Sequence, residues 1–165
     1  MKVVSSFLLI CIFLTSCQND AKQIPKDEVS VEREVPKVTT TKSLPYRLEY
    51  DEGTQRMTLI ERQGNSDKLS QREVVELLNE KHRKIKLDLL KSSNDTVFLK
   101  IKNATNLTQE MGSAGAQAYL AEVTFSITKV KGIQVVDLLF EEGDHAMPGS
   151  YKREDFSEFK VVEQK

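Results

Sequence analysis

Residues 85–101 read IKLDLLKSSNDTVFLKI, and this sequence predicts a β-hairpin. Ile85, Leu87 and Leu89 alternate with charged residues, and a second alternation of apolar side chains runs through 96–101. Alternate side chains of a strand point to opposite faces, so each alternation is typical of a half-buried strand. The intervening SSND at 92–95 is a favourable turn sequence. The hairpin therefore belongs to a sheet with one face on a hydrophobic core.

A long helix and a buried strand follow this hairpin. After an irregular loop at 103–112, a helix is predicted for 113–130, with Ser113 as its N-cap and Gly132 just beyond its end. The continuous apolar run IQVVDLLF at 133–140 predicts a central strand, and 156–162 predicts a final edge strand. The apolar positions of the helix form one stripe at 4-3-4-3 spacing: Ala116, Leu120, Val123, Ile127 and Val130.

A second hairpin and a short helix are predicted upstream. Tyr46, Leu48 and Tyr50 alternate with charged residues, 51–54 form a turn, and the return strand places Met57 and Leu59 inward. Residues 70–73 form a capping box that starts a helix at 71–81. One face of this helix carries Val74, Leu77, Leu78 and Lys81. The predicted fold class is α+β, a small antiparallel or mixed sheet packed on one long and one short helix.

The first 17 residues predict export and lipidation. The apolar run VVSSFLLICIFL at 3–14 is shorter than the ~20 residues that a membrane-spanning helix needs, and it fits a signal peptide. Leu14-Thr15-Ser16-Cys17 then matches a bacterial lipobox, which predicts a signal peptide at 1–16 and lipidation of Cys17. An ordinary cleaved signal with a free Cys17 and an uncleaved anchor are the alternatives. Two or more acyl chains anchor a protein stably.

Residues 17–45 predict a flexible linker that carries the lipidated cysteine. Pro25, Pro36 and Pro45 interrupt regular structure, although a short helix at 26–34 remains an alternative. As a coil, the linker would hold the domain at 46–165 about 30 Å from the membrane. The predicted location is the bacterial cell envelope, with the membrane leaflet undetermined.

Composition excludes several classes of function. The 165 residues hold 24 Lys or Arg against 25 Asp or Glu, so no overall basic charge indicates nucleic acid as a partner. The second cysteine, Cys11, would leave with the signal peptide, so the mature domain would have no disulfide. No phosphate-binding loop, dinucleotide fingerprint, zinc-protease motif or nucleophile elbow occurs, and no cofactor or metal is predicted.

Two short clusters carry candidate chemistry. Lys81, His82, Arg83 and Lys84 form a basic cluster that could contact lipid headgroups or an anionic glycan, or could simply complement the dipole of the preceding helix. Residues 141–145, EEGDH, could hold a cation or form a solvated turn, and a hydrolase centred on Asp144 and His145 is a further alternative. No catalytic residue is predicted.

Several of these segments together resemble a known family. The strand TVFLKI at 96–101, the small residues Gly112 and Ser113, the helix through 120–130 and the segment GIQVVDLLFEEG at 132–143 resemble the GerMN domain of spore germination and sporulation lipoproteins. The resemblance covers 70–149. The chain departs from the family pattern in having TFSIT at 124–128, where members tend to have Y-T-L, and in having one copy where some have two.

The resemblance implies a small, non-catalytic α+β domain on a lipid-anchored protein, similar to ring-building modules that pair side by side. It provides no catalytic residues. The sequence therefore predicts an envelope protein that acts as a protein–protein interaction or assembly module, with an unidentified envelope protein or a second copy as partner. The alternative function is binding of a small lipid or glycan.

Overall fold

The computed structural model describes residues 42–53, 56–64 and 68–164. These residues belong to one compact unit, Val38–Lys165. Cys17, the predicted signal peptide and the predicted linker up to residue 41 lie outside the described residues.

The described residues form two mixed sheets and two α-helices, which confirms the α+β fold class. The first sheet has the strand order β1-β2-β7 and the second the order β3-β4-β5-β6. The helices are α1 (Gln71–Lys81) and α2 (Gly112–Ile127). The strands are β1 (Tyr46–Asp51), β2 (Arg56–Glu61), β3 (Leu87–Ser93), β4 (Thr96–Ile101), β5 (Val135–Leu139), β6 (Gly149–Tyr151) and β7 (Lys160–Glu163).

Both predicted hairpins are confirmed. β1 and β2 pair antiparallel, and so do β3 and β4, with a bulge in β3 between Leu89 and Lys91. Asn94 takes a left-handed conformation at φ 55° in the second turn, which asparagine tolerates better than most residues. In the second hairpin the inward alternation also holds, because Leu87, Val97, Leu99 and Ile101 are all buried. In the first hairpin Tyr46 is buried, but Tyr50, predicted to face inward, is 59% exposed because it lies at the outer end of β1.

The short helix α1 begins and ends where the sequence predicts. The Ser70 hydroxyl accepts a hydrogen bond from the Glu73 backbone N–H, and the Glu73 carboxylate accepts one from the Ser70 N–H at 2.8 Å. Lys42 pairs with the same carboxylate, and Leu44 is buried in the core. Side-chain packing therefore starts slightly before the first strand.

The long helix is present and starts within one residue of the predicted position, but its N-cap, its end and its packing differ from the prediction. α2 spans Gly112–Ile127, so Ser113 lies inside the helix and is not its N-cap, and the helix ends three residues before 130. Residues 118–127 are buried on every side of the helix rather than along one stripe. The reason is that α2 packs against α1, against β1 of the first sheet and against β5 of the second.

The segments around α2 contain structure that the sequence did not predict. The expected irregular loop at 103–112 contains a π-helical turn, Asn106–Glu110, with Leu107 and Thr108 buried. The central position of β5 is confirmed, because it lies between the parallel strand β4 and the antiparallel strand β6. At the C-terminus, a 3-10 turn at Arg153–Phe156 replaces the start of the predicted strand, and β7 then pairs in parallel with β2.

Candidate functional site

The clearest polar cluster lies where the end of α1 meets the middle of α2. Glu122 of α2 is fully buried, and it is the one buried acidic or basic residue in the described part of the chain. Its carboxylate forms an ion pair with Lys81, and its Oε2 lies 2.7 Å from Nε2 of His82. Two members of the predicted basic cluster therefore point inward.

Local hydrogen bonds hold the end of α1 in this position. The backbone N–H of His82 donates to the Leu78 carbonyl at 2.8 Å and closes the helix. The Asn79 amide then bridges to the start of β3: its Nδ2 donates to the Leu87 carbonyl at 2.9 Å, and its Oδ1 accepts from the Leu87 N–H at 2.7 Å. These bonds fix the short turn between α1 and β3, so Lys81 and His82 face α2.

Tyr119 completes the cluster one helical turn before Glu122. Its ring meets the His82 ring edge-on, with centroids 4.9 Å apart and planes at 89°. The ring is almost fully buried, and its hydroxyl has no hydrogen-bond partner among the described residues. Burial, reinforced by the charge of Glu122, raises the pKa of the Tyr119 hydroxyl. This hydroxyl therefore stays protonated.

The ionisation of Glu122 depends on a balance between burial and its partners. Burial alone would raise the pKa of the carboxyl, but the hydrogen bonds from His82 and Lys81, together with their charges, outweigh it and lower the pKa below the ordinary value. The carboxylate is therefore ionised at neutral pH. Both its oxygens are engaged, so the cluster joins α1 to α2 and neutralises charge.

The other half of the basic cluster faces solvent. Arg83 and Lys84 are exposed and line an open cleft of about 330 Å³, to which Lys81 and His82 also contribute. The four residues of the predicted interaction surface at 81–84 therefore share one cleft, but only Lys81 and His82 are paired with Glu122, and the Lys81 side chain stays 38% exposed. Two cations remain available to a ligand at this cleft.

His145 lies in a second cleft, of about 380 Å³, at the start of α2. Its Nδ1 is 3.1 Å from the Ser113 hydroxyl, and its backbone N–H donates to the Thr108 carbonyl at 3.0 Å. Among the described residues, no carboxylate pairs with His145, and no three His, Cys, Asp or Glu side chains converge to hold a metal ion. Of the acidic residues at 141–144, Asp144 lines this cleft beside His145, whereas Glu141 and Glu142 are not among its lining residues.

Two further clefts adjoin each other beside the first sheet. One, of about 430 Å³, is lined by Met57, Ala114 and Phe159 together with Arg56 and Glu158. The other, of about 480 Å³, shares Arg56 and Glu158 and continues along β2 and β7. Together they form an open groove with an apolar part and oppositely charged side chains, which is named the β2–β7 groove below.

Glu122 is the functional candidate that the sequence reasoning missed. The single-stripe prediction leaves it on the polar side of the helix, yet it is the sole charged residue between Gly112 and Ile127. A helix that is apolar on all sides is buried, and a single charge within it needs a partner. That pattern was the available signal, although the sequence does not indicate which cation supplies the partner.

Comparisons with protein-family models, curated proteins and solved structures found no match to this chain in any of the three. Within 42–53, 56–64 and 68–164, no helix combines the length and the apolar character needed to cross a bilayer.

Proposed function

We propose that this protein is a lipid-anchored component of a bacterial cell envelope whose folded domain binds other proteins. The lipobox at 14–17 supports the anchor. The β2–β7 groove is the observation that carries the binding role, because it places apolar side chains and charges of both signs beside the edge strand β7. The most deeply buried ionisable group, Glu122, is already neutralised within the domain and is not free for chemistry on a substrate.

The chemistry of the β2–β7 groove suits an extended segment of a partner protein. Met57 and Phe159 provide apolar contact, while Arg56 and Glu158 offer one charge of each sign. β7 is an edge strand, and its Val161 side chain is 43% exposed. An exposed strand edge beside side-chain pockets is a common way to bind an extended peptide.

The resemblance to the GerMN domain supports the same proposal. It rests on the pattern of apolar and glycine residues at 70–149 and implies side-by-side association of small α+β modules. A second copy of the chain and a different envelope protein are both compatible partners.

The anchor is tested by metabolic labelling of a Cys17→Ala variant. The natural protein should incorporate labelled fatty acid and sediment with membranes, because Cys17 supplies the acylated thiol. The variant should incorporate none and accumulate as an unprocessed or soluble form. Incorporation of label into the variant would contradict lipidation at Cys17.

The binding role is tested with a photo-cross-linking side chain at position 161 of the full-length chain in its native membrane. A matched side chain at the exposed position 131, in the turn after α2, serves as the control. Discrete adducts from 161 and none from 131 are expected, with mass spectrometry distinguishing self-adducts from those with another protein. If 161 gives no adduct and the protein stays monomeric at high concentration, the binding role fails.

The alternative function, binding of a small anionic ligand, is supported by the cleft that Arg83 and Lys84 border. Titration with glycerol phosphate, followed by NMR shifts, tests it. Saturable shifts at residues 83–84 that are lost in an Arg83→Gln/Lys84→Gln variant would favour this alternative. Shifts that grow without saturation would count against it.

A further inference from the structure

Positive charge is concentrated in one segment of a chain whose net charge is nearly zero. Residues 81–102 contain seven Lys or Arg and two Asp, whereas the remaining 143 residues contain 17 Lys or Arg and 23 Asp or Glu. The segment spans the end of α1, the following turn and the hairpin of β3 and β4. The excess of cations therefore lies in the turn between α1 and β3 and at the open end of the β3–β4 hairpin. Within the strands of the second sheet the numbers of Lys and Asp side chains are equal.

The hairpin places three of these lysines around a single carboxylate. Lys102 Nζ lies 2.9 Å from Asp88 Oδ2 on the sheet face opposite the core. The Lys102 hydrogen bond lowers the pKa of Asp88, and the charges of Lys86 and Lys100 lower it further, which places both lysines near the same carboxylate. Three positive charges thus surround one negative charge. The cluster keeps an excess of positive charge at the surface.

Exposed apolar side chains accompany these lysines. Leu139 of β5 lies opposite Lys100 in the strand register and is 46% exposed, and Leu90 at the β3 bulge is 50% exposed. The Lys91 ammonium lies 4.7 Å from the centre of the Phe98 ring on the same hairpin. We name the surface formed by Lys86, Lys100, Lys102 and Leu139 the basic face.

We propose that the basic face docks on an anionic lipid surface, so that the domain lies against the membrane that anchors it. The proposal rests on the proposed lipid anchor, which would keep the domain close to a bilayer. Lysines near an anionic leaflet are attracted to its negative surface potential, and their aliphatic stems tolerate contact with the interfacial region. The exposed Leu139 side chain beside Lys100 can enter that same region.

The geometry of attachment permits this contact. Lys42, where the described chain begins, pairs with Glu73 at the start of α1, and the basic segment begins at the other end of that helix. Eleven helical residues span about 16 Å. The preceding segment reaches about 30 Å as a coil, so the basic face can approach the bilayer without strain. Lipid headgroups in a fluid leaflet can rearrange, so they need no fixed pattern of charges on the protein. Three lysines around one aspartate therefore fit a lipid surface better than they fit a structured acidic protein.

The test measures binding of the chain from residue 18 to 165 to lipid vesicles, because the described domain belongs to the compact unit Val38–Lys165 and this chain lacks the acylated cysteine. Vesicles with about 30 mol% phosphatidylglycerol should bind it, while pure phosphatidylcholine vesicles should not. Binding should weaken steeply as salt rises from about 50 mM to about 300 mM. Equal binding to both vesicle types, or binding to neither, would overturn the proposal.

A matched pair of triple variants locates the contact. Lys86→Gln/Lys100→Gln/Lys102→Gln removes the charges of the basic face, and an effect on the order of fivefold per lysine predicts roughly 100-fold weaker binding. Lys68→Gln/Lys131→Gln/Lys160→Gln removes the same charge from exposed positions elsewhere and should change binding less than about threefold. Equal losses in the two triple variants would refute the location, provided that circular dichroism shows both are folded.

Two further readouts distinguish membrane docking from capture of a soluble polyanion and from failure of the anchor. Binding to soluble polyphosphate but not to vesicles would identify a soluble polyanion as the occupant and overturn membrane docking. Failure of the proposed anchor would appear instead as loss of fatty-acid labelling at Cys17, a result that leaves vesicle binding by the chain from residue 18 unaffected. The two proposals can therefore fail separately.

Discussion

Lys81 and His82 and the lysines of the basic face belong to one basic segment, yet the structure places them in opposite environments. Lys81 and His82 meet a carboxylate that is fully buried in α2. Lys86, Lys100 and Lys102 share one carboxylate, Asp88, on the surface. The first group holds two helices together, whereas the second keeps charge available for another molecule.

The difference follows from the cost of removing charge from water. A buried carboxylate without its partners is strongly destabilising, so the folded state depends on the contacts that Lys81 and His82 make with Glu122. A surface pair contributes little, since water already solvates both groups. Substitutions in the Glu122 cluster should therefore reduce stability, whereas substitutions on the basic face should reduce binding and leave stability nearly unchanged.

The largest effect is expected from Glu122→Gln. The neutral amide replaces two charge-assisted hydrogen bonds in a buried site by weaker neutral ones, so the free energy of unfolding should fall by about 3 kcal/mol. Urea denaturation measures this change. Asp88→Asn, the matched change on the basic face, should leave the midpoint of unfolding nearly unaltered. Equal losses of unfolding free energy in Glu122→Gln and Asp88→Asn would show that burial does not set the contribution of these two carboxylates to stability.

The second prediction compares two lysines of the same segment. Lys81→Met leaves Glu122 with one partner and should reduce stability by about 1–2 kcal/mol, a loss limited by the partial exposure of the Lys81 side chain. Lys86→Met should have no measurable effect on stability but should weaken binding to anionic vesicles. Thermal denaturation and vesicle sedimentation of both variants provide the measurements. A Lys86→Met loss as large as that of Lys81→Met would contradict the contrast.

The third prediction concerns the opposite end of α1, which a local motif stabilises. Ser70→Ala removes the hydroxyl of the capping box, and loss of such a cap typically costs about 1 kcal/mol. The loss should be smaller than that of Glu122→Gln, because the freed amide at the helix start can bind water. Denaturation of Ser70→Ala is compared with that of Ser93→Ala, a change at the exposed end of β3. A negligible effect of Ser70→Ala would exclude a stabilising role for the cap.

The smallest effect is expected from mild acid. The pKa of Glu122 is lower in the folded protein than its ordinary value of 4.5, so its stabilisation is complete above that value and is lost as pH falls through the folded pKa. The difference in stability between the natural protein and Glu122→Gln should be constant from about pH 7 to about pH 6 and should narrow by less than about 1 kcal/mol at about pH 4. Denaturation of both proteins across this range measures it. A difference that widens in acid would contradict the lowered pKa.

The parts of the fold that were predicted correctly depend on interactions near in sequence. The capping box joins Ser70 to Glu73, and the turn at 92–95 joins β3 to β4, so the residue pattern alone locates α1 and the second hairpin. The strand β5 was also located by its continuous run of apolar residues. The expectation that it is a buried strand holds for one face only, because Val136 and Leu138 are buried whereas Leu139 is 46% exposed. By contrast, Leu107 in the π-helical turn and β6 gave no periodic signal, because each is too short to show one.

The candidate sites were less accessible to sequence reasoning. The cluster 81–84 is visible in the sequence as a unit, but the pairing of Lys81 and His82 depends on Glu122, 40 residues away from His82. The β2–β7 groove likewise requires β7 to pair with β2 across most of the domain. Neither contact can be predicted from the spacing of residues that are near one another in the sequence.

Local sequence patterns were sufficient for the α+β class, the two hairpins and the limits of α1, because backbone hydrogen bonds and side-chain alternation act over a few residues. They also predict the lipid anchor at Cys17. Burial of α2 on every side and the contacts of Glu122 with Lys81 and His82 depend instead on tertiary packing. The same packing places the exposed lysines Lys86, Lys100 and Lys102 on one surface. Which charge is buried depends on how separate elements pack, and desolvation makes that packing decisive.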